Sequence, residues 1–388
     1  MFVTNVIVTI GLVMIAPLLP VFAQRAGASG AWMGALFAAD MVARTVAMPL
    51  CGRASDRFGR RPFLILGLIL FAAASFSFTQ TSGKATLLAV RTLQGVGAGM
   101  VIPVIMAYFG EFASTHRVAL TMGTLNISFF GGLAVGPFLG GLLESRFSLE
   151  APFYFLAAAA LLNAGFIFWL LPESASRGRT DGGRKGGTAD SVAPWRAVLS
   201  DATLRRLCTH RFLVSFGVST AWAFVPLYAV KVLGLSTYDA GIAVGAITLL
   251  TAVLISPGGW VGDRVDQWLL ILAGTLILSL CFGAVSWSKG FWALAAVCGT
   301  MGLAQACYMP AAYALIVGVG RGMGMGASLG VYSTSLTLGL AVGPLVSGML
   351  VDGFGLRTTF LVTGALGLFA AGTILKRVNL KKVTAGDS

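Results

Sequence analysis

Charge is what this sequence has least of. Only 11% of its 388 residues are Asp, Glu, Lys or Arg, where a soluble globular chain carries roughly 25%, and just 14 residues are acidic. So little charge excludes an ordinary water-soluble domain and a disordered chain alike, because both depend on polar composition throughout. Histidine occurs twice, His116 and His210, in or beside expected loops, so no metal cluster is expected. The five cysteines (Cys51, Cys208, Cys281, Cys298 and Cys307) contain no CxxC pair and read as small apolar packers rather than disulfides or metal ligands. A Walker-type loop and a nucleophile–base set are also missing, so neither an enzyme nor a cofactor is predicted. Any work the chain does must draw on a gradient.

What the sequence does have is apolar length. Hydrophobic residues make up 57% of it, with a mean hydropathy of +0.87, and 51 glycines accompany them. A bilayer core about 30 Å thick takes ~20 apolar residues per helix, and glycine lets such helices approach closely. Twelve spans are expected, near 3–24, 31–52, 63–82, 86–108, 118–143, 151–171, 205–230, 237–258, 268–287, 290–316, 326–350 and 357–375. The first has no basic n-region and Met1 opens almost directly into it, so it reads as a retained span rather than a signal peptide.

The net charge of +13 invites a nucleic-acid reading, which the positions of the charges exclude. With an even number of spans both termini share a side, and nineteen of the 27 basic residues fall in loops on that side. Eight of these run from Arg177 to Arg211, whereas the opposite loops hold one each, Arg25, Lys84, Arg146, Lys231, Lys289 and Arg357. The bias follows the positive-inside rule and puts both termini in the cytoplasm, with the chain in the inner (cytoplasmic) membrane. One polar stretch interrupts the apolar pattern, from Pro172 onward. Three regions follow: a six-helix bundle over 1–171, a Gly-, Ser- and Arg-rich cytoplasmic linker over 172–204 that is mostly disordered, and a second bundle over 205–388. Within the linker, Trp195 to Leu199 suit a short interfacial helix, and the basic residues suit anionic lipid heads.

The two bundles repeat each other at one spacing. GLAVGPFLGG at 132–141 returns as GLAVGPLVSG at 339–348, an offset of 207. The same offset relates Gly52-xxx-Asp56-Arg57 to Gly259-xxx-Asp263-Arg264, Gly95 and Pro103 to Gly302 and Pro310, and Phe147 and Phe153 to Phe354 and Phe360. One shared string in Gly-rich helices is a coincidence; one offset through four spans is a duplication. The fold class predicted is an all-α polytopic membrane protein of two pseudo-symmetric six-helix bundles. Parallel repeats of this kind place a substrate site near the midplane at the repeat interface.

Three motifs carry a resemblance. They are GRASDRFGRR over Gly52 to Arg61, Arg91-xx-Gln94-Gly95-x-Gly97, and Gly132-xxx-Gly136-Pro137-xx-Gly140-Gly141. With Pro17, Pro20 and the Leu171-Pro172-Glu173-Ser174 exit, they make the chain resemble, end to end, the twelve-helix drug:proton antiporters of the major facilitator superfamily. Ala54 departs from the leucine of that family's first loop. The resemblance implies that Asp56 latches the loop containing Gly52, Arg57 and Gly59 to a helix start, and that Arg60 pairs with Glu111. The alternative is that these arginines only set topology. The second copy keeps Asp263 and Arg264 but has Asp266 and Gln267 where Gly59 and Arg60 fall, which implies a weaker latch. Gly132, Gly136, Pro137, Gly140 and Gly141, with Gly343 and Pro344, belong to a scaffold of bent, closely packed helices. Helices 1, 4, 7 and 10 line the cavity in the family, which makes Asn5, Trp222, Tyr228, Gln305, Tyr308 and Tyr313 candidates for it.

Thirteen of the acids fall in loops or at span ends, and Asp40 does not. Nine residues into its span, at 1.5 Å each, it lies roughly 14 Å deep. An ionisable group there marks a functional site by default. Arg44 follows one turn on, on the same face, and Arg91 and Gln94 sit together in the fourth span. Two readings of Asp40–Arg44 stand: proton coupling or substrate contact, and an inert pair that fixes packing. The resemblance does not choose, because its exporters carry an acid in helix 1, where this chain has only Thr4, Asn5 and Thr9. The function expected is proton-coupled export of a lipophilic or amphipathic small molecule by a rocker switch, in a monomer whose partners are its substrate, protons and lipids. A metabolite facilitator or importer is the alternative within transport, and a non-transporting receptor or scaffold the alternative outside it.

Overall fold

The computed structural model describes residues 1–19, 27, 29–81, 83–112, 118–171, 201–262, 264–323 and 325–386. Its helices are α1 (Phe2–Met14), α2 (Gly30–Phe58), α3 (Arg60–Thr79), α4 (Lys84–Phe112), α5 (Val118–Arg146), α6 (Ala151–Leu170), α7 (Ala202–Lys231), α8 (Thr237–Gly262), α9 (Gln267–Val285), α10 (Phe291–Met323) and a last element, Met325–Gly386. That element is two helices joined at Gly355, whose φ of 81° and ψ of 168° break the helix. A positive φ of this kind suits glycine. We call its parts α11 (325–354) and α12 (356–386). Among the described residues, ten of these elements are long and apolar enough to cross a membrane, the last counted whole, and α1 is a shorter apolar helix.

The starts of the helices follow local chemistry. Asp266 Oδ1 accepts from the backbone N–H groups of Trp268 and Leu269, at 2.8 and 3.3 Å, and so caps α9. Ser236 and Asp239 cap α8 reciprocally, Asp239 N–H donating to Ser236 Oγ and Ser236 N–H to Asp239 Oδ2. Between α2 and α3 the work falls to Gly59, at φ 100°. The two repeats thus turn the same corner differently, with glycine in the first and a capping aspartate in the second. The first helix was expected to continue to residue 24. It stops at Met14 and passes into turns over Ile15–Leu18, where Pro17 has no N–H to offer the ladder.

The described chain forms two compact units, one from 1–183 with 226–245, the other from 184–225 with 246–388. In the first, α1 packs on α5, α2 on α4, and α3 on both α4 and α6. Its core is Val8, Leu64, Leu68, Phe71, Val101, Val104, Ile105 and Tyr108 with Ile167. In the second, α9 packs on α10 and on the α11–α12 element. Large apolar side chains point outward as well: Leu162, Phe166, Trp169 and Trp292 are all exposed. That is the surface a lipid-facing helix presents, with tryptophans near helix ends.

Candidate functional site

In the first unit, close packing brings the charged residues of α2 and α4 together. A Cβ added at Gly95 would lie 3.0 Å from Asp40 Cα, and one at Gly99 would lie 2.7 Å from Ala47 Cβ. The α2 and α4 backbones therefore meet at Asp40. Asp40 is 1% exposed, and it is the only fully buried acid among the described residues. Its Oδ2 lies 3.8 Å from Arg44 Nη2, too far for a hydrogen bond. Its Oδ1 has no hydrogen-bond partner. Arg44 instead leans toward Met41 Sδ. Arg91 is buried in α4: its Nε donates to the Leu36 carbonyl at 3.3 Å and its Nη1 to Gln94 Oε1 at 2.8 Å. The guanidinium also lies 5.7 Å from the Phe37 ring centre and feels the charges of both Asp40 and Arg44. The structure thus assembles Asp40, Arg44, Arg91 and Gln94, the four residues singled out as coupling or substrate candidates. It leaves Gln94 Nε2 and Asp40 Oδ1 open as a donor and an acceptor.

The loop motif is described in part. Gly59 takes the left-handed turn, and Gly52 lies against Pro103. Arg60 is buried with its guanidinium 5.9 Å from the Tyr108 ring centre. Arg57 lies beside Phe58, and Arg264 stacks 3.5 Å from the Trp260 ring centre. The side chains of Asp56 and Glu111, and Asp263 entirely, lie outside the described residues, as does the Trp195–Leu199 segment.

The scaffold glycines have a plain task. Gly132, Gly136 and Gly140 each set α5 against α1, where an added Cβ would meet Thr9, Ile10 and Met14 respectively. Gly339 and Gly343 set α11 against α7 at Phe212 and Phe216. Gly141 abuts Thr237 and Tyr238 of α8, while Pro137 and Pro344 lie inside their helices. Among the cavity candidates, Asn5 Nδ2 donates to Ser128 Oγ at 2.6 Å, Tyr228 and Tyr308 are fully buried, Gln305 is nearly so, and Trp222 is half-buried.

One placement from the sequence needs correction. His210 and Arg211 were assigned to or beside a cytoplasmic loop, Arg211 as one of its basic residues. Both are buried inside α7, nine residues from its start in the case of Arg211. The basic run that precedes them masks the onset of the apolar face. His210 Nε2 lies 2.7 Å from Thr275 Oγ1, and Arg211 lies over the rings of Tyr332 and Tyr313 at 5.3 and 5.6 Å.

Two copies of one helix plan, with ionisable groups held inside apolar spans, define a class: a polytopic α-helical membrane protein with the architecture of a secondary transporter. The family model of the Major Facilitator Superfamily matches residues 1–289 and again 211–385. The chain belongs to that superfamily and is a transporter, not an enzyme. It is 24% identical over 367 residues to an uncharacterised MFS-type transporter of Methanocaldococcus jannaschii, covering 92% of each chain. It is 23% identical over 379 residues to the quinolone resistance protein NorA of Staphylococcus aureus, covering 95% of this chain and 92% of NorA. Its fold matches a bacterial homologue of the human lysosomal transporter Spinster, solved inward-facing and unoccupied, with a TM-score of 0.83 at 16% identity, covering 96% of this chain and 94% of that one.

Proposed function

We propose that the chain is a proton-coupled exporter of an amphipathic small molecule. It sits in the inner membrane with both termini cytoplasmic and works as a monomer by alternating access between the bundles 1–171 and 205–388, joined by the linker 172–204. The observation that carries this is Asp40. It is a carboxyl group 1% exposed, with one oxygen unpartnered and the other 3.8 Å from its nearest cation. A carboxylate held in a permanent structural pair would have its oxygens satisfied, because breaking or leaving incomplete a buried pair is costly. A carboxyl group that exchanges a proton has to be stable in both forms, and a loose pair allows that. Arg91 and Gln94 then hold the α4 side of the cluster and present one open amide donor. Export is supported by the Gly-Pro signature in α5 and by the likeness to NorA, a quinolone resistance protein.

The contact with Arg44 favours a second reading, in which Asp40–Arg44 is a fixed pair and the chain is a facilitator. Proteoliposomes containing a pH-sensitive dye separate the two. On addition of a quinolone, the wild type is expected to move protons as substrate moves, and Asp40→Asn to move none while remaining folded. Normal gradient-driven transport by Asp40→Asn would sink the coupling assignment, and substrate movement without proton flux in the wild type would establish the facilitator.

A further inference from the structure

Among the described residues, the buried cation of the second unit has no acid beside it. Arg211 is 3% exposed, and its position nine residues into α7 puts it roughly 14 Å from the helix start. Its neighbours are tyrosines: the ring faces of Tyr332 and Tyr313 at 5.3 and 5.6 Å, with Tyr308 close enough to interact with its charge. Aromatic neighbours only partly replace the hydration of a guanidinium, and buried charges are normally paired with an opposite charge.

Arg211 and the α11 face that carries Tyr332 leave three buried donors open. Arg211 Nε, Tyr332 Oη and Ser328 Oγ are buried without hydrogen-bond partners. Ser328 precedes Tyr332 by one turn of α11, on the same face. Each of the three can donate a proton, and Arg211 can do nothing else. On α7 beside Arg211, the tautomer of His210 is fixed by its partner. Thr275 Oγ1 gives its only proton to the Ile271 carbonyl at 2.6 Å, so His210 Nε2–H must donate to Thr275. That leaves Nδ1, also unpartnered, as an acceptor on α7, alongside the hydroxyl oxygens of Tyr332 and Ser328, which can accept as well as donate.

The internal repeat shows that packing does not require this cation. Gly132 of α5 sits on Val6, Thr9 and Ile10 of α1, and Gly339 of α11 sits on Phe212, Ser215 and Phe216 of α7. The first helix of each repeat is therefore related by an offset of 206, which sets Arg211 opposite Asn5. There the first repeat satisfies the same place with a neutral pair, Asn5 Nδ2 to Ser128 Oγ at 2.6 Å. The second repeat holds a guanidinium among unsatisfied donors instead.

We infer that Arg211, Tyr332 and Ser328 form an anion-binding subsite, and that the amphipathic solute carries a carboxylate or like monoanion that docks there. The subsite rests on the transporter reading above, but its occupancy does not depend on proton coupling. The carboxylate takes the Nε–H of Arg211 and the hydroxyl protons of Tyr332 and Ser328, while Tyr313 and Tyr308 hold the guanidinium in place. Charge-assisted bonds of this kind are the strong ones, and the two oxygens of a carboxylate can accept from all three donors while neutralising the guanidinium.

Calorimetric titration of the purified full chain with 2-naphthoate and with its neutral methyl ester tests this without any gradient. The wild type is expected to bind the anion about tenfold or more tightly than the ester. Arg211→Gln should remove that preference and leave ester binding unchanged. Tyr332→Phe keeps the ring against Arg211 and should weaken naphthoate alone by severalfold, so it decides the matter if Arg211→Gln does not fold. Equal affinities for anion and ester in the wild type would overturn the proposal, as would naphthoate binding indifferent to both substitutions. Heat from sodium chloride with none from naphthoate would overturn it as well, leaving a small-ion site only. Asp40→Asn is expected to bind naphthoate normally. Failure of proton flux with binding intact therefore counts against coupling alone, and failure of binding with flux intact counts against the subsite alone.

Discussion

Asp40 and Arg211 are buried to almost the same degree, and each is short of partners, but in opposite senses. Asp40 has an open acceptor, Arg211 an open donor. Arg91 is the contrasting case of a buried guanidinium that is well held, by the Leu36 carbonyl, Gln94 and the Phe37 ring. Those contacts need the planar fork of arginine, which an ammonium cannot match. Arg91→Lys should therefore lower stability by about 1–2 kcal/mol, read as a lower melting temperature in detergent. An unchanged melting temperature would mean that the bonds to Leu36 and Gln94 carry no net weight. Asp40, Arg44, Arg91 and Gln94 were visible in the sequence because a charge within a long apolar run stands out. Arg211 and His210 were not, because they follow Arg205 and Arg206 closely and merge with the basic stretch before them. The repeat held the missing signal. Asn5, already a cavity candidate, is the counterpart of Arg211 once α1 and α7 are set at their own offset. Tyr332 carried no mark of its own, since nothing in α11 shows which of its faces meets α7.

At the scale of helices, glycine decides how closely two backbones approach, and it does so at matching places in the two repeats. Gly95 rests on the backbone of Asp40 and Gly302 on that of Ile247, while Gly52 meets Pro103 and Gly259 meets Pro310. Gly67 rests on Gly97 and Val101, and Gly274 on Ala304 and Tyr308. The offset of 207 read from the sequence is therefore also a register of contacts. Membrane helices gain little from burying apolar surface against one another, so close van der Waals packing of this kind carries much of their association. Gly95→Ala and Gly302→Ala should each destabilise by about 1–3 kcal/mol, since the added methyl meets backbone that cannot turn aside. Only Gly95→Ala should also impair substrate-induced proton flux, because only that seam contains the carboxyl group. Equal loss of flux in both variants would mean that general loosening, rather than displacement of Asp40, is responsible. The helix pattern itself was legible from apolar length. The early end of α1 and the Asp266 cap were not, since both depend on local backbone geometry that hydropathy averages away.

At the scale of the whole molecule, the duplication is an economy of packing and not of chemistry. By the offset, Asp40 corresponds to Ile247, Arg44 to Thr251 and Arg91 to Cys298, so the charged seam of the first repeat is uncharged in the second. Conversely, the second repeat has Arg211 where the first has Asn5. If protons are handled in one repeat and an anionic group in the other, the exchange of one for the other needs a device that keeps both from being open to the same side. Residues 226–245 bear on this, because they belong to the second repeat by sequence yet pack within the first compact unit. Gly241 of α8 lies against the Pro137 carbonyl, Gly141 of α5 against Thr237 and Tyr238, and the rings of Phe138 and Tyr238 are 5.7 Å apart. No side chain separates the two backbones there. A rocker switch would have to part this seam and close it again, and closure requires glycine at position 241, where an added Cβ would lie 3.2 Å from the Pro137 carbonyl carbon. Gly241→Leu is therefore expected to hold the seam apart. Accumulation driven by a pH gradient in proteoliposomes should collapse toward the passive level and downhill leak should rise, while equilibrium binding of 2-naphthoate at Arg211 stays as in the wild type. Accumulation equal to the wild type's would show the seam to be passive packing, and the moving contact would then have to be sought elsewhere in the fold.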